Sequence, residues 1–126
     1  MFHSRLLTRL SLLFVAWLLC IGPAAARQDS TLGVIAARDL PWEARQTLAL
    51  IKRGGPFPYA KDGVVFGNYE GILPKQKRGY YHEFTVTTPH ARNRGARRIV
   101  AGGDPATSGE YYYTGNHYRT FMRIQE

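Results

Sequence analysis

The sequence predicts an α+β fold, with one main N-terminal helix packed on a twisted antiparallel β-sheet. Three observations predict it. A single 3.6-residue apolar period appears early, at Ala44, Leu48 and Ile51. Beyond Asp62 the chain breaks into short runs rich in aromatic and β-branched residues. Turn signals separate these runs closely, at Pro74, Gly79, Pro89, Gly102-Gly103 and Gly115-Asn116. A helix followed by tightly linked strands argues against alternating βαβ units.

The elements follow in order. Residues 1–26 read as an address label. Arg5 and Arg9 give a positive start, Leu10 to Gly22 carries no charge, and Pro23-Ala24-Ala25-Ala26 supplies the small residues a signal peptidase needs. The apolar run is too short for a membrane span, which needs roughly 20 residues. Cleavage is expected after Ala26, leaving a single domain at 27–126. Val34-Ile35-Ala36-Ala37 is a first strand or a helical turn. Pro41 suits the first position of a helix and Glu43 its positive end. Lys52 and Arg53 suit its last turn, and Gly54-Gly55 stops it, so the helix is expected over Pro41–Arg53. Pro56-Phe57-Pro58-Tyr59 is a stiff connector. Val64–Phe66, Tyr80–Thr87, Arg97–Ala101, Glu110–Tyr113 and Phe121–Ile124 are the strand candidates.

Composition narrows the class. The 126 residues carry a net charge of +8 and are 44% hydrophobic, which excludes a disordered polyelectrolyte and favours an acidic partner. Removing residues 1–26 leaves 15 basic against 9 acidic residues, a net +6. It also removes Cys20, the single cysteine, so neither a disulfide nor a cysteine zinc site can form within the domain.

Four stretches hold chemistry. In Tyr80 to Thr87, strand alternation puts Tyr81, Glu83, Thr85 and Thr87 on one face and Tyr80, His82, Phe84 and Val86 on the other. The second set is more apolar and is expected to face the helix, with His82 a partly buried structural histidine. Glu83 then projects from the open face. Pro89 to Arg98 holds four arginines in seven residues. It is either a solvated basic loop or a pair of forks, Arg94 and Arg98, that suit phosphate oxygens beside Glu83. His117 lies in a turn among tyrosines and is either a surface group or a general acid. Phe66-Gly67-Asn68-Tyr69-Glu70-Gly71 offers backbone N–H groups, a stacking face and a carboxylate, the parts that clamp one unstacked base.

Together these strings resemble the secreted microbial guanyl-specific ribonucleases, the family of barnase and the small fungal ribonucleases, with the likeness closest to its bacterial members. Leu40-Pro41, Gly55-Pro56-Phe57-Pro58-Tyr59, Asp62-Gly63-Val64-Val65-Phe66 and Gly79-Tyr80-Tyr81-His82-Glu83 carry it. So do Arg94-Gly95-Ala96-Arg97-Arg98-Ile99-Val100 and Tyr112-Tyr113-Thr114-Gly115-Asn116-His117-Tyr118. The resemblance runs from about Leu40 to Ile124 and implies a microbial ribonuclease fold.

It implies a metal-independent secreted endoribonuclease that needs no cofactor and cuts single-stranded RNA after guanosine through a 2′,3′-cyclic phosphate. Glu83 matches the general base and His117 the general acid. Arg94 and Arg98 match the arginines that hold the phosphate, and Tyr113 lies where a phosphate-site tyrosine is expected. Glu70 matches the carboxylate that reads guanine, with Phe66, Gly67, Asn68 and Tyr69 around the base. Three positions depart from the pattern: Tyr69 stands for an arginine, Gly67 for a polar side chain and Asn116 for an acid. The resemblance further implies a monomer, free of the membrane after cleavage, and an acidic intracellular inhibitor protein as a partner. The alternative is an exported basic RNA- or protein-binding module on the same fold, without turnover.

Overall fold

The structure is a computed structural model and describes residues 32–126. The expected signal segment 1–26, with Cys20, lies outside the described residues. The elements are β1 (Gly33–Ala36), a 3₁₀ turn (Ala37–Asp39), α1 (Trp42–Arg53), β2 (Val64–Phe66), β3 (Tyr81–Thr85), β4 (Arg98–Gly102), β5 (Tyr111–Thr114) and β6 (Met122–Gln125). The open choice at residues 34–37 resolves as both, a strand running into a turn. Each expected strand exists; Val64–Phe66 keeps its bounds and the others move by one or two residues at their ends.

Helix α1 begins and ends where local chemistry dictates. Pro41 is the N-cap residue, and its carbonyl accepts from the N–H groups of Ala44 and Arg45 at 3.0 and 3.1 Å. Gly54 takes φ 81°, a left-handed conformation that glycine adopts without a Cβ clash. From there its N–H and that of Gly55 return to the carbonyls of Ile51 and Leu50. The buried stripe is Ala44, Leu48 and Ile51, joined by Thr47. Burial of that hydroxyl is offset by a 3.1 Å bond to the carbonyl of Thr85, which ties α1 to β3.

The six strands form one sheet in the order β1-β6-β5-β4-β3-β2. Four of the five pairings are antiparallel, but β1 runs parallel to β6. The sheet is therefore mostly, not wholly, antiparallel. No hairpin constrains this pair, because its strands lie at opposite ends of the domain. Asp62 ties the approach to β2 to the end of β3: one carboxylate oxygen accepts from the N–H of Thr85 at 2.7 Å, the other from that of Tyr59 at 3.1 Å.

Both faces of the sheet are packed. Phe84, Val86, Ile99, Tyr111 and Tyr113 join α1 on one side. Leu73, Tyr81, Val100, Tyr112 and Phe121 form a smaller cluster on the other. His82 is half-buried, and its Nδ1 has no partner among the described residues. Tyr80 leaves the expected helix-facing set, because it precedes β3 and lies against Tyr81 in the smaller cluster.

Burial of these phenols couples stability to alkali. Tyr112 is pushed up from 10.0 to about 12, first by burial and then by the charge of Glu110. Tyr81 is pushed up as well, chiefly by burial. The folded state thus holds protons that the unfolded chain releases near its ordinary value. The resulting stability is complete below pH 10 and is lost as pH rises toward 12. Denaturant midpoints measured across that window are expected to fall together with the rise in tyrosinate absorbance; flat midpoints would refute the coupling.

Candidate active site

The register of β3 and β4 assembles the centre of the site. Thr85 pairs with Arg98 and Glu83 with Val100, so Glu83, Thr85 and Arg98 share the face turned away from α1. Glu83 is not on an open face as expected. Its side chain is 14% exposed, because the 114–121 turn folds over it.

Two groups meet that carboxylate, and Arg98 lies behind one of them. Arg94 approaches Glu83 Oε1 at 3.5 Å. Its guanidinium is aimed by two bonds to the hydroxyl of Thr85, at 3.1 and 2.9 Å. The Tyr118 hydroxyl donates to Glu83 Oε2 at 2.8 Å. Burial, then this bond and the charge of Glu83, push Tyr118 up to about 12, so it remains a donor across the neutral range. Arg98 is buried at 3% exposure and sits 6.0 Å from the Tyr118 ring centre. Its Nη1 donates to the carbonyls of Gly95 and Arg97, while its buried Nε has no partner among the described residues.

His117 stands at the rim, exposed, its ring edge-on to Tyr118 at 4.8 Å. His117 and Tyr118 have φ of 59° and 71°, a costly pair of left-handed residues without a glycine. A polar bracket holds them there. The Thr114 hydroxyl accepts from the N–H of Tyr118 at 3.1 Å and donates to Asn116 Oδ1 at 3.0 Å. Asn116 Oδ1 also accepts from the N–H of Thr120, and its Nδ2 donates to the Thr120 hydroxyl. The His117 N–H reaches the Ala96 carbonyl at 2.9 Å, tying this turn to the arginine loop.

Across a cavity of about 270 Å³ lies the 66–71 loop. Phe66, Asn68, Tyr69 and Glu70 line one side of it, His117 and Tyr118 the other. Asn68, at φ 51°, spends its side chain on the Leu73 backbone, donating to the carbonyl at 3.0 Å and accepting from the N–H at 3.2 Å. The N–H groups of Asn68, Tyr69 and Glu70 donate to nothing among the described residues. The Phe66 ring is stacked on Tyr118 at 5.0 Å and forms a wall. The Tyr69 ring folds over Gly67, where any Cβ would collide with it. Its hydroxyl accepts from Arg78 at 2.8 Å, yet the residue remains 84% exposed. Glu70 is exposed and makes no ion pair among the described residues.

One expected residue is elsewhere. Tyr113 pairs with Ile99 and Met122 and packs in the helix-side core, on the far face of the sheet from Glu83. Tyr118 is the tyrosine that meets the site. Sequence reasoning misses it, together with Thr85, Thr114 and the structural part of Asn116. Thr85 has the parity of Glu83, two positions on, which is the available signal for it.

The ribonuclease family model matches residues 23–125. Guanyl-specific ribonuclease Sa of Kitasatospora aureofaciens is 56% identical over 94 residues, which cover 75% of this chain and 95% of the relative. The chain belongs to the microbial guanyl-specific ribonucleases. Guanyl-specific ribonuclease St of Saccharopolyspora erythraea is 57% identical over 83 residues, 66% of this chain and 78% of that one. The fold agrees with the family. A structure of ribonuclease Sa2 in complexes with mononucleotides matches with a TM-score of 0.73 at 50% identity, covering 78% of this chain and 98% of the other. Ribonuclease Sa2 with guanosine-2′-cyclophosphate matches at 0.68 and 50%, covering 75% and 96%.

Proposed function

We propose that this protein is a secreted, metal-independent endoribonuclease that cuts single-stranded RNA after guanosine. The observation that carries the reading is one carboxylate, Glu83, beside Arg94 and bonded to Tyr118, which lines the same cavity as His117 and Glu70. Glu83 takes the proton of the ribose 2′-hydroxyl, and the freed oxygen attacks the adjacent phosphorus. The bond to the 5′-oxygen breaks, and His117 gives that oxygen its proton. Arg94 and Arg98 neutralise the charge that grows on the phosphoryl oxygens. Tyr118 orients Glu83 in the free enzyme. In the second step His117 activates water, Glu83 returns its proton, and the 2′,3′-cyclic phosphate opens to a 3′-phosphate. DNA lacks the 2′-hydroxyl and is not a substrate.

Guanine is read by the 66–71 loop. Glu70 accepts from N1–H and the 2-amino group, the free N–H groups of the loop donate to O6, and Tyr69 stacks on the base. Asn68 acts through the shape it gives the backbone. An acidic inhibitor protein in the producing cell would match the arginine-rich cleft.

The test uses protein recovered from culture medium, whose N-terminus is expected at Arg27. With EDTA present it is expected to convert GpC to guanosine 2′,3′-cyclic phosphate and to leave ApC and UpC nearly untouched, with products read by mass. Equal cutting of all three would remove the reading of the loop. No cutting by folded protein would remove the enzymatic reading itself.

A further inference from the structure

The outer face of α1 carries residues that neither the core nor the active site uses. Trp42, Arg45, Ala49 and Lys52 recur at i, i+3, i+7 and i+10, so they line one stripe of the helix. All four are exposed, Trp42 at 60%. The Arg45 guanidinium lies 5.5 Å from the centre of the Trp42 ring. Arg38, from the 3₁₀ turn, joins Arg45 and Lys52 around a groove of about 490 Å³ with an alanine floor. Its one carboxylate, Glu126, is paired with Lys52, so the groove keeps an excess of positive charge.

We propose that this stripe is a second binding surface for single-stranded RNA, which takes the part of the strand that extends beyond the active site. The inference rests on the function proposed above. A flat aromatic ring with one cation against it, beside an open groove lined by that cation and two more, is an arrangement that holds an unstacked base with its phosphates. The stripe is also connected to the site. Glu43, next to Trp42, meets Arg97 at 3.9 Å, and Arg97 precedes the phosphate-site Arg98. An RNA strand leaving the arginines past the start of β4 at Arg97 reaches the start of the stripe.

Two readouts test this. After residue 26 Trp42 is the sole tryptophan, so its fluorescence reports the stripe alone. Oligouridylate without guanosine is expected to quench it in the parent and not in the Arg38→Gln/Arg45→Gln variant. In cleavage assays Trp42→Ala is expected to lower kcat/KM about tenfold, through KM, on a long oligouridylate carrying one guanosine. GpC cleavage is expected to stay unchanged. In the double-arginine variant the slope of log kcat/KM against log salt on the long substrate should fall by about 0.7 for each phosphate that is no longer neutralised.

Equal losses on GpC and on the long RNA would mean that the stripe only supports the fold, and would overturn the proposal. So would the absence of quenching, or a surface that takes up anionic phosphatidylserine vesicles through Trp42 while long RNA is cleaved normally by every variant. Quenching without any cleavage would defeat the proposed enzymatic function and leave the binding surface standing.

Discussion

Glu83→Gln is expected to lower kcat on GpC by about 10²–10⁴-fold, the range associated with losing a positioned general base. The substitution isolates proton transfer. Glutamine keeps the length of the side chain and an oxygen that can still accept from Tyr118, 2.8 Å away in the parent. Arg94 keeps its two bonds to Thr85, so the guanidinium stays aimed without its ion-pair partner. The cation is then free to meet the phosphate, and KM should hold or fall. A rate loss with KM preserved identifies a group needed in the transition state and not for binding. The limb of the pH–rate profile that reports protonation of the base should vanish in the variant. Steady-state kinetics with a thermal-unfolding control would measure all three quantities. A variant within tenfold of the parent in kcat would remove Glu83 from the role. The binding-module alternative has the opposite signature, with neither parent nor variant turning over and both retaining RNA.

What the sequence disclosed about this centre follows the range of the forces involved. Helix α1 was legible from Pro41 to Arg53 because its signals are local: a proline at the start, a 3.6-residue stripe, and a glycine free to take φ 81° at the end. The faces of β3 were legible for His82, Glu83, Phe84 and Thr85 because alternation is intrinsic to a strand. Pairing between distant segments was not. The parallel contact of β1 with β6 depends on where the two ends of the domain meet, which no nearby residue encodes.

Tyr113 shows the same limit within the site. Three consecutive tyrosines carry no amphipathic contrast, so the face of each is decided by the neighbouring strands. Ile99 and Met122 draw Tyr113 to the helix side, and Tyr112 turns to the other. Tyr118 points at Glu83 only because Thr114 and Asn116 hold two successive residues in a left-handed conformation. That bracket also gives Asn116 a place its chemistry alone did not suggest. It shapes the turn that presents His117, a task for which an amide with both donor and acceptor is suited. The burial of Glu83 arises in the same way, from a turn more than thirty residues downstream closing over the strand.

Glu70→Gln is expected to reduce the preference for GpC over ApC by about 10²–10⁴-fold, the value of two charge-assisted hydrogen bonds at roughly 1.5–3 kcal/mol each. Guanine presents two donors, N1–H and the 2-amino group, and an ionised carboxylate accepts both. Adenine presents neither on that edge, so pairing it there leaves a desolvated carboxylate without partners, and rejection is strong. Glutamine offers one oxygen and a competing NH₂, which meets the guanine donors as a donor. Glu70 is suited to the task because it is exposed on the cavity wall and tied to no cation among the described residues. Its loop is shaped independently of it, by the Asn68 side chain on Leu73. The substitution should therefore leave the loop intact, and GpC cleavage should fall while ApC cleavage holds or rises as the penalty of the unpaired carboxylate is removed. Tyr69→Ala separates stacking from reading. A ring stacks on every base, so its loss should weaken all dinucleotides alike and keep their ratio. If Glu70→Gln instead keeps the parent ratio, recognition must lie with the free backbone N–H groups of residues 68–70, and the carboxylate would be only a solvated neighbour.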